Sequence, residues 1–404
     1  MGINIDVIGG GPAGMMAAIA AARQGASVRL WEKNHSLSRK LLATGNGRCN
    51  FTNRDLSPEF FHGGRPETAA RILGDFGLDR TLSFFRELGV EPACDERGRY
   101  FPRSQEASSV LLALEREMEG LGVAVALRSD IVRIERAGAG YTLHRRGESH
   151  RADRVIIACG GMASPQFGSS GGGHELAAQL GHRITPLRPG LASWEMAGPW
   201  FHTLQGVRWD MELIITGNDG RQVQLTDEGL FTKHGLSGPL ALRSSRSIGE
   251  DPKTVTLSFV PGMGRRELEQ KIAERRKALP GRSAADFLTG LLPEKIGRLL
   301  ARESGIPLDV AAGSLGHGQL GTLAKNMTCW PVKVKGLRPF KEAQVTVGGV
   351  DMGQVRPETL ESALAPGLFF CGEVLDVDGD SGGYNLQWCW SSGWAAGNAA
   401  GRTG

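Results

Sequence analysis

The sequence predicts an α/β protein: a Rossmann-like domain of the two-dinucleotide-binding type, interrupted by an inserted β domain that carries a helical subdomain. Three observations lead there. A glycine-rich turn joins a strand to a helix near the N-terminus. A second strand, loop and helix return more than 300 residues later. Between them the text changes to short alternating strands and then to helices.

The first element reads as a strand, because "INIDVIGG" (3–10) runs apolar like the buried strands of a parallel sheet. "GGGPAG" (9–14) turns the chain, and "MMAAIAAARQG" (15–25) is alanine-rich and helical, with Gly25 as its stop. "SVRLWEK" (27–33) completes a βαβ unit. In that setting Gly9, Gly11 and Gly14 form a dinucleotide fingerprint: they allow a tight turn and let backbone approach a pyrophosphate at the positive end of the helix. Glu32, eighteen positions after Gly14, is placed to accept from ribose hydroxyls. An acid there favours an adenosine with a free 2′-hydroxyl, as in FAD or NAD.

The far end of the chain separates those two. "GLFFCGEVLDVDGDSGGYNLQWCWSSGWAAGNAAG" (367–401) gives a strand at Leu368 to Cys371, an acidic loop with Glu373, Asp376, Asp378 and Asp380, a Gly-Gly turn and a small-residue helix. A nucleotide domain split in this way suits the FAD-binding flavoprotein type, whose last helix points its N-terminus at the electron-rich edge of the flavin. "DRVIIACGG" (153–161) is a further buried strand, expected to pass the adenine end.

In the middle, "LASWEM" (191–196), "QGVRWDMELIITGNDGRQVQLTDEG" (205–229) and "KTVTLSFVPG" (253–262) read as short strands, with "GNDG" (217–220) a hairpin turn. From Arg265 to Met327, "RRELEQKIAERRKAL", "SAADFLTGLLPEKIGRLLARESG" and "HGQLGTLAKNM" carry apolar residues at helical spacing, punctuated by Pro280 and Pro293. The expected boundaries are 1–190 and 346–404 for the split nucleotide domain, 191–262 and 328–345 for the β domain, and 263–327 for the helical subdomain. An inserted domain of this kind is expected to help form a substrate pocket over the flavin.

Composition narrows the function. The chain of 404 residues has 58 glycines, about twice the usual ~7% share. Lys and Arg (47) exceed Asp and Glu (43) by only four, and the excess is scattered, so the charge does not call for nucleic acid. Six cysteines show no C-x-x-C spacing and no pairing with histidine, so no metal is expected. There is no basic leader segment and no apolar run that would span a bilayer, which gives a reduced cytoplasmic protein as the expectation.

Several matching stretches, "GGGPAG" with Glu32-Lys33, "KLLATGNGRCNFTN" (40–53), "GRYFPRS" (98–104), "FTKHGLSGPLAL" (231–242), "VTVGGV" (345–350) and "CGEVLDVDGDSGGYNLQWCWSSG" (371–393), run from Val7 to Gly393. On these the sequence resembles the HI0933-like flavoproteins, which include enzymes described as aminoacetone oxidases and as bile-acid dehydro-reductases. The resemblance implies bound FAD. It implies that Gly9, Gly11, Pro12, Ala13, Gly14, Glu32 and Lys33 surround the cofactor from the first βαβ unit. From the following loop it implies Lys40, Leu41, Asn46, Gly47, Arg48, Cys49 and Asn50. Ala158, Gly160, Gly161, Gly372, Glu373, Asp376, Gly383, Tyr384, Asn385, Leu386 and Gln387 complete the implied set. One departure stands out: where many relatives look like "GSTGDGY", this chain has "GSSGGGHELAAQLGH" (168–182), with Gly172 for the acid and His174 for the aromatic.

No residue is assigned a catalytic role from the sequence. Cys49 beside Arg48 reads either as a thiolate or as a small residue shaping a loop around the cofactor. Lys40 and Arg48 read as cations beside the flavin N1 and O2 region, or as pyrophosphate or surface partners. His174 and His234 lie in pocket-lining segments without an evident carboxylate partner. Tyr384 reads as cofactor packing or a proton donor. The Trp-rich "LQWCWSSGW" reads as core rather than a base-stacking surface.

The function expected is therefore hydride transfer between a small organic substrate and an acceptor through FAD. The chain would act as an NAD(P)H-dependent reductase or as an oxygen-using amine oxidase. No second glycine fingerprint follows a strand, so NAD(P)H would dock only transiently. The alternatives are a flavin-containing tRNA-modification or RNA-binding protein, and a flavin-binding regulatory protein without turnover. Oligomeric state is not legible.

Overall fold

A computed structural model describes residues 2–249 and 254–402. It divides the chain into two compact units, Met1–Arg188 with Ala343–Gly404, and Pro189–Glu342. Lys253, the first residue of one expected strand, lies outside the described residues.

The first unit is built on a five-stranded parallel sheet. Its order is Leu368–Phe370, Arg154–Ile157, Asn4–Ile8, Ser27–Trp31, Ala124–Ala126. The register pairs Val7 with Leu30 on one side and with Ile156 on the other, and Ile156 in turn with Phe369. The strands Leu368–Phe370, Arg154–Ile157 and Asn4–Ile8 are buried over most of their length because both faces are covered, which is why they read as apolar runs, whereas the edge strand Ala124–Ala126 is largely exposed. Asp6 and Arg29 break that run. They lie at the side covered by an antiparallel meander, Arg133–Ala137, Gly140–Arg145 and Glu148–Ala152, a segment that carries no sequence expectation above.

Two helices form the other layer. Pro12–Arg23 is almost wholly buried, and Tyr384–Gly401 lies against it. Gly393, Gly397 and Gly401 recur every fourth residue on the last helix, and a side chain on any of them would meet the Ala13, Ala17 or Ala21 carbonyl of the first. Small residues let the two backbones touch. The tryptophans of the last helix point away from that seam: Trp388 and Trp390 are sealed in the core, and Trp390 Nε1 donates to the Phe51 carbonyl at 2.8 Å.

The second unit has a five-stranded antiparallel sheet. Its order is Leu236–Ser237, Gln222–Phe231, Arg208–Thr216, Thr254–Ser258, Trp330–Pro331. The hairpin between Arg208–Thr216 and Gln222–Phe231 turns at residues 217–220, where Gly217 N–H donates to Arg221 O at 2.8 Å. Helices Arg265–Ala278, Glu294–Glu303 and His317–Thr328 pack on it, and strands and helices share one core around Trp194, Phe231, Phe259, Ile296 and Leu320. One local expectation is corrected. Residues 283–292, with a helical apolar spacing, form turns instead, tied by bridges Ser283–Ala311 and Thr289–Leu292, and the helix begins only after Pro293, as its N-cap. Gly238–Ile248, quoted above only as part of a motif, is a helix with Pro239 in its first turn.

Candidate functional site

The site grows from the turn after the first strand. Gly9 holds φ +108° with its Cα against the Ala158 carbonyl, a conformation and a contact that only glycine permits. Gly14 is equally constrained, since a methyl group there would overlap the Gly9 carbonyl oxygen. The helix that begins at Pro12 has no side-chain cap, and nothing stands within 4 Å of the direction a side chain on Gly11 would take. Its first-turn N–H groups thus form an open, positively polarised cradle.

Glu32 closes one side. Its Oε2 accepts from Gly10 N–H at 2.8 Å, and its Oε1 accepts from Asn34 N–H at 2.7 Å and Asn34 Nδ2 at 2.6 Å. A carboxylate offers about four acceptor positions, so one remains for a hydroxyl. Ser38, which the sequence did not single out, joins the same turn. Its N–H donates to the Gly10 carbonyl at 2.9 Å, its φ is +51°, and its buried Oγ has no partner in the chain. Only that unsatisfied hydroxyl marks it, which no sequence pattern discloses.

A second cluster brings distant segments together. Lys40 Nζ lies 2.8 Å from Glu373 Oε2, an ion pair across 333 positions, and Glu373 Oε1 accepts from Thr346 N–H at 2.9 Å. Thr346 Oγ1 in turn accepts from Met162 N–H at 2.8 Å and Ala163 N–H at 3.0 Å, beside Gly161. Gly160 follows Ala158 with φ +72°. The Lys40 loop, the 158–163 turn, Val345–Val347 and the Gly372 turn therefore share one wall. Lys40 is not a lone cation, because its charge is balanced by Glu373.

At the start of the last helix, Gly383 has φ +104° and packs on the Thr52 carbonyl, with Asn50 Oδ1 beside it. That oxygen is buried and lacks a partner. Asn53 Nδ2 donates to Gly382 O at 2.8 Å, and Asn385 clamps the turn through Gly379. Asp376 is buried, and its carbonyl accepts from Gly64 N–H at 3.2 Å.

Other residues of the implied cofactor set are buried or engaged with protein partners, or lie exposed in the same loops. Leu41, Cys49 and Gln387 have no exposed surface. Cys49, at φ +61°, has its thiol pushed up to about 12 by burial, which leaves the loop-shaping reading. The Gln387 amide is satisfied within the protein: it accepts from Thr52 Oγ1 at 2.5 Å and donates to Phe76 O at 3.0 Å and Ser391 Oγ at 2.8 Å. The Tyr384 ring stacks on Phe60, centroids 4.8 Å apart, and meets Phe61 edge-on. Leu386 is buried beside it in sequence. Arg48 stacks over Phe101 at 4.7 Å and donates to Gly45 O, and Asn46 and Gly47 are exposed in the same loop. Lys33 is exposed and donates to Ser170 Oγ at 2.7 Å.

Of the two histidines considered above, His234 belongs to the second unit, in the Thr232–Gly235 turn. His174 is in the first, sealed near Glu373. Burial lowers its pKa against the opposing pull of the Val374 backbone and Glu373, and neither ring nitrogen makes a hydrogen bond of ordinary length. A neutral, inaccessible imidazole is no acid.

An open helix start, a carboxylate with one free acceptor position and two buried oxygens without partners fit a dinucleotide. The HI0933-like protein Rossmann domain matches residues 3–399. The chain belongs to the HI0933-like family. Within it, this HI0933-like protein is 38% identical to "3-dehydro-bile acid delta(4,6)-reductase" of Clostridium scindens, over 98% of both chains. It is 32% identical to "Ribosomal RNA dihydrouridine synthase" of Escherichia coli, over 96% of both. Its fold is that of 3-ketosteroid-Δ4-(5α)-dehydrogenase from Rhodococcus jostii, at a TM-score of 0.52 and 15% identity, covering 99% of this chain and 97% of that one.

Proposed function

We propose that this FAD-dependent oxidoreductase is an NAD(P)H-fed reductase that saturates a carbon–carbon double bond conjugated to a carbonyl in a small organic substrate. The observation that carries the reading is the open helix start at Gly11 facing Glu32, in a chain 38% identical to a reductase of that substrate type. In a 3-keto-Δ4,6 system the carbonyl withdraws density along the double bonds, so the distal carbon accepts hydride. The name of the Escherichia coli relative describes the same chemistry on uracil, whose C5=C6 bond is conjugated to C4=O.

FAD, when bound, supplies the hydride that it has taken from the nicotinamide. The chain's own residues do the rest. The first-turn N–H groups of Pro12–Arg23 hold the pyrophosphate, with Ser38 Oγ as an added donor. Glu32 accepts a ribose hydroxyl. Lys40, fixed by Glu373, keeps N–H groups free to donate to the ring system, and its balanced charge limits how far it lowers the cost of flavin reduction. The start of Tyr384–Gly401 directs its positive end toward the same ring. All six cysteines are free, which suits the reducing cytoplasm as its place of work. Among the described residues no helix is long and apolar enough to cross a membrane.

The test is an anaerobic visible spectrum of the holoprotein before and after NADPH or NADH, followed by a 3-dehydro-Δ4,6 bile acid. Bleaching of the flavin band by nicotinamide and its return on adding the enone are expected. A band that persists with nicotinamide but bleaches with a small amine would replace the reductase by the oxidase. A second reading, a uracil base within RNA as acceptor, is favoured by the Escherichia coli relative. Salt-sensitive retention of ribosomal RNA on a filter, with return of the flavin band, would move the proposal to it.

A further inference from the structure

The reductase reading leaves one half of the reaction unassigned. Hydride addition to the β-carbon breaks the C=C π bond and leaves an enolate, which needs a proton at the α-carbon. The buried, unpartnered His174 does not answer that need.

The fold supplies a third histidine. Phe61–Gly63 pairs antiparallel with Val377–Gly379, which puts His62 opposite Asp378. His62 Nε2 lies 2.8 Å from Asp380 Oδ1, and their side chains are 30% and 28% exposed, so the pair is reachable without being immersed in solvent. Asp380 is fixed from two sides. Its N–H donates to Phe60 O at 2.9 Å, and its carbonyl accepts from Asn385 Nδ2 at 3.2 Å. Asn385 is the second residue of the last helix, and it also donates to Gly379 O at 2.7 Å and accepts from Gly379 N–H at 2.8 Å. The imidazole is thereby tied to the helix start that bounds the candidate site, next to Gly383 and the unpartnered Asn50 oxygen.

We propose that His62, oriented by Asp380, delivers the proton that completes the reduction, an inference that rests on the reductase reading. Asp380 holds the proton on Nε2, which directs the transferable proton to Nδ1, a nitrogen with no partner among the described residues. The imidazolium gives its Nδ1 proton to the α-carbon as the enolate electron pair forms the new C–H bond, leaving neutral imidazole still bonded to Asp380. Hydride from the reduced flavin and proton from His62 together make the two hydrogens added.

The experiment uses holoprotein, wild type and the His62→Gln and Asp380→Asn variants, with flavin content and melting temperature checked first. Flavin is reduced anaerobically with NADPH or dithionite and mixed with the 3-dehydro-Δ4,6 bile acid while reoxidation is followed. His62→Gln is expected to slow reoxidation about 100-fold, the size of a lost general acid, without a matching change in reduction by NADPH. Asp380→Asn, which disturbs only position and charge, is expected to slow it about 10-fold, less than the ~10²-fold effect of removing the acid itself. The slowing in Asp380→Asn is expected in the limiting reoxidation rate at saturating enone, with the half-saturating enone concentration unchanged, a split that a merely structural loss would not give. Wild-type reoxidation rates in both folded variants, or a change confined to the half-saturating enone concentration, would overturn the proposal while leaving the reductase standing. Failure of wild-type enzyme to be reoxidised by any enone would instead overturn the reductase reading and this proposal with it.

Discussion

The two units of the chain reach dense packing by opposite means. In the second, large side chains such as Trp194, Phe231 and Phe259 interlock around a sheet and three helices. In the first, the central helix pair has almost no side chains between its members, because Gly393, Gly397 and Gly401 set one backbone against the carbonyls of the other. A core made of side chains is weakened by what is removed. A seam made of backbone is weakened by what is added.

That contrast orders a set of expected outcomes. Phe259→Ala should be the most costly, about 3–5 kcal/mol of stability in denaturant unfolding, because it empties a fully buried site. Gly397→Ala, which only adds a methyl, should cost about 1–3 kcal/mol by forcing the helices apart at the Ala17 carbonyl. It should also reduce the flavin retained on purification, since Ala13 lies on the same seam; unchanged retention would separate the seam from the cofactor. Equal tolerance of both substitutions would break the comparison.

Asp6 sharpens it from another direction. Burial raises its pKa from 3.8 to about 7, a rise that Trp31 and Arg29 only partly oppose. The fold therefore carries a penalty for the ionised form above about pH 7, and the penalty fades as pH falls from 7 toward 3.8. His150, 3.4 Å away, works the other way: its pKa is lowered, first by burial and then by Arg29, so the fold loses stability as pH falls below the ordinary histidine value of 6.5. Asp6→Asn should raise the melting temperature at pH 8 by more than at pH 5, and a gain independent of pH would refute the assignment. The smallest effect is expected from Arg48→Ala, about 0.5–1 kcal/mol, as for an exposed cation over a ring. A large loss of flavin from that variant would return Arg48 to the cofactor.

What could be read from the sequence was what short range determines. The Asn4–Ile8 strand, the Gly9 turn and Glu32 are adjacent in the chain and obey local rules, so both the βαβ unit and its ligand type were legible. The strand at Leu368–Phe370 was legible as a strand, and its partner Arg154–Ile157 likewise, though not their register. The meander at 133–152 escaped because its alternation is weak and half polar. The helix expected over 283–292 failed because tertiary bridges overrode spacing. Ser38, Thr346 and the His62–Asp380 pair escaped for a different reason. Each becomes significant through a partner, or the lack of one, that only the folded chain reveals.

The split of the first unit has a consequence for synthesis. The strand and helix that finish its sheet and seam, Leu368–Phe370 and Tyr384–Gly401, emerge from the ribosome only after the whole of Pro189–Glu342. At ~5–20 residues per second, the alanine face of Pro12–Arg23 waits many seconds without its glycine counterpart. Early elements of the nucleotide domain thus stay open until the last helix emerges, and a chain ending before Leu368 would leave Pro12–Arg23 without the helix it packs against.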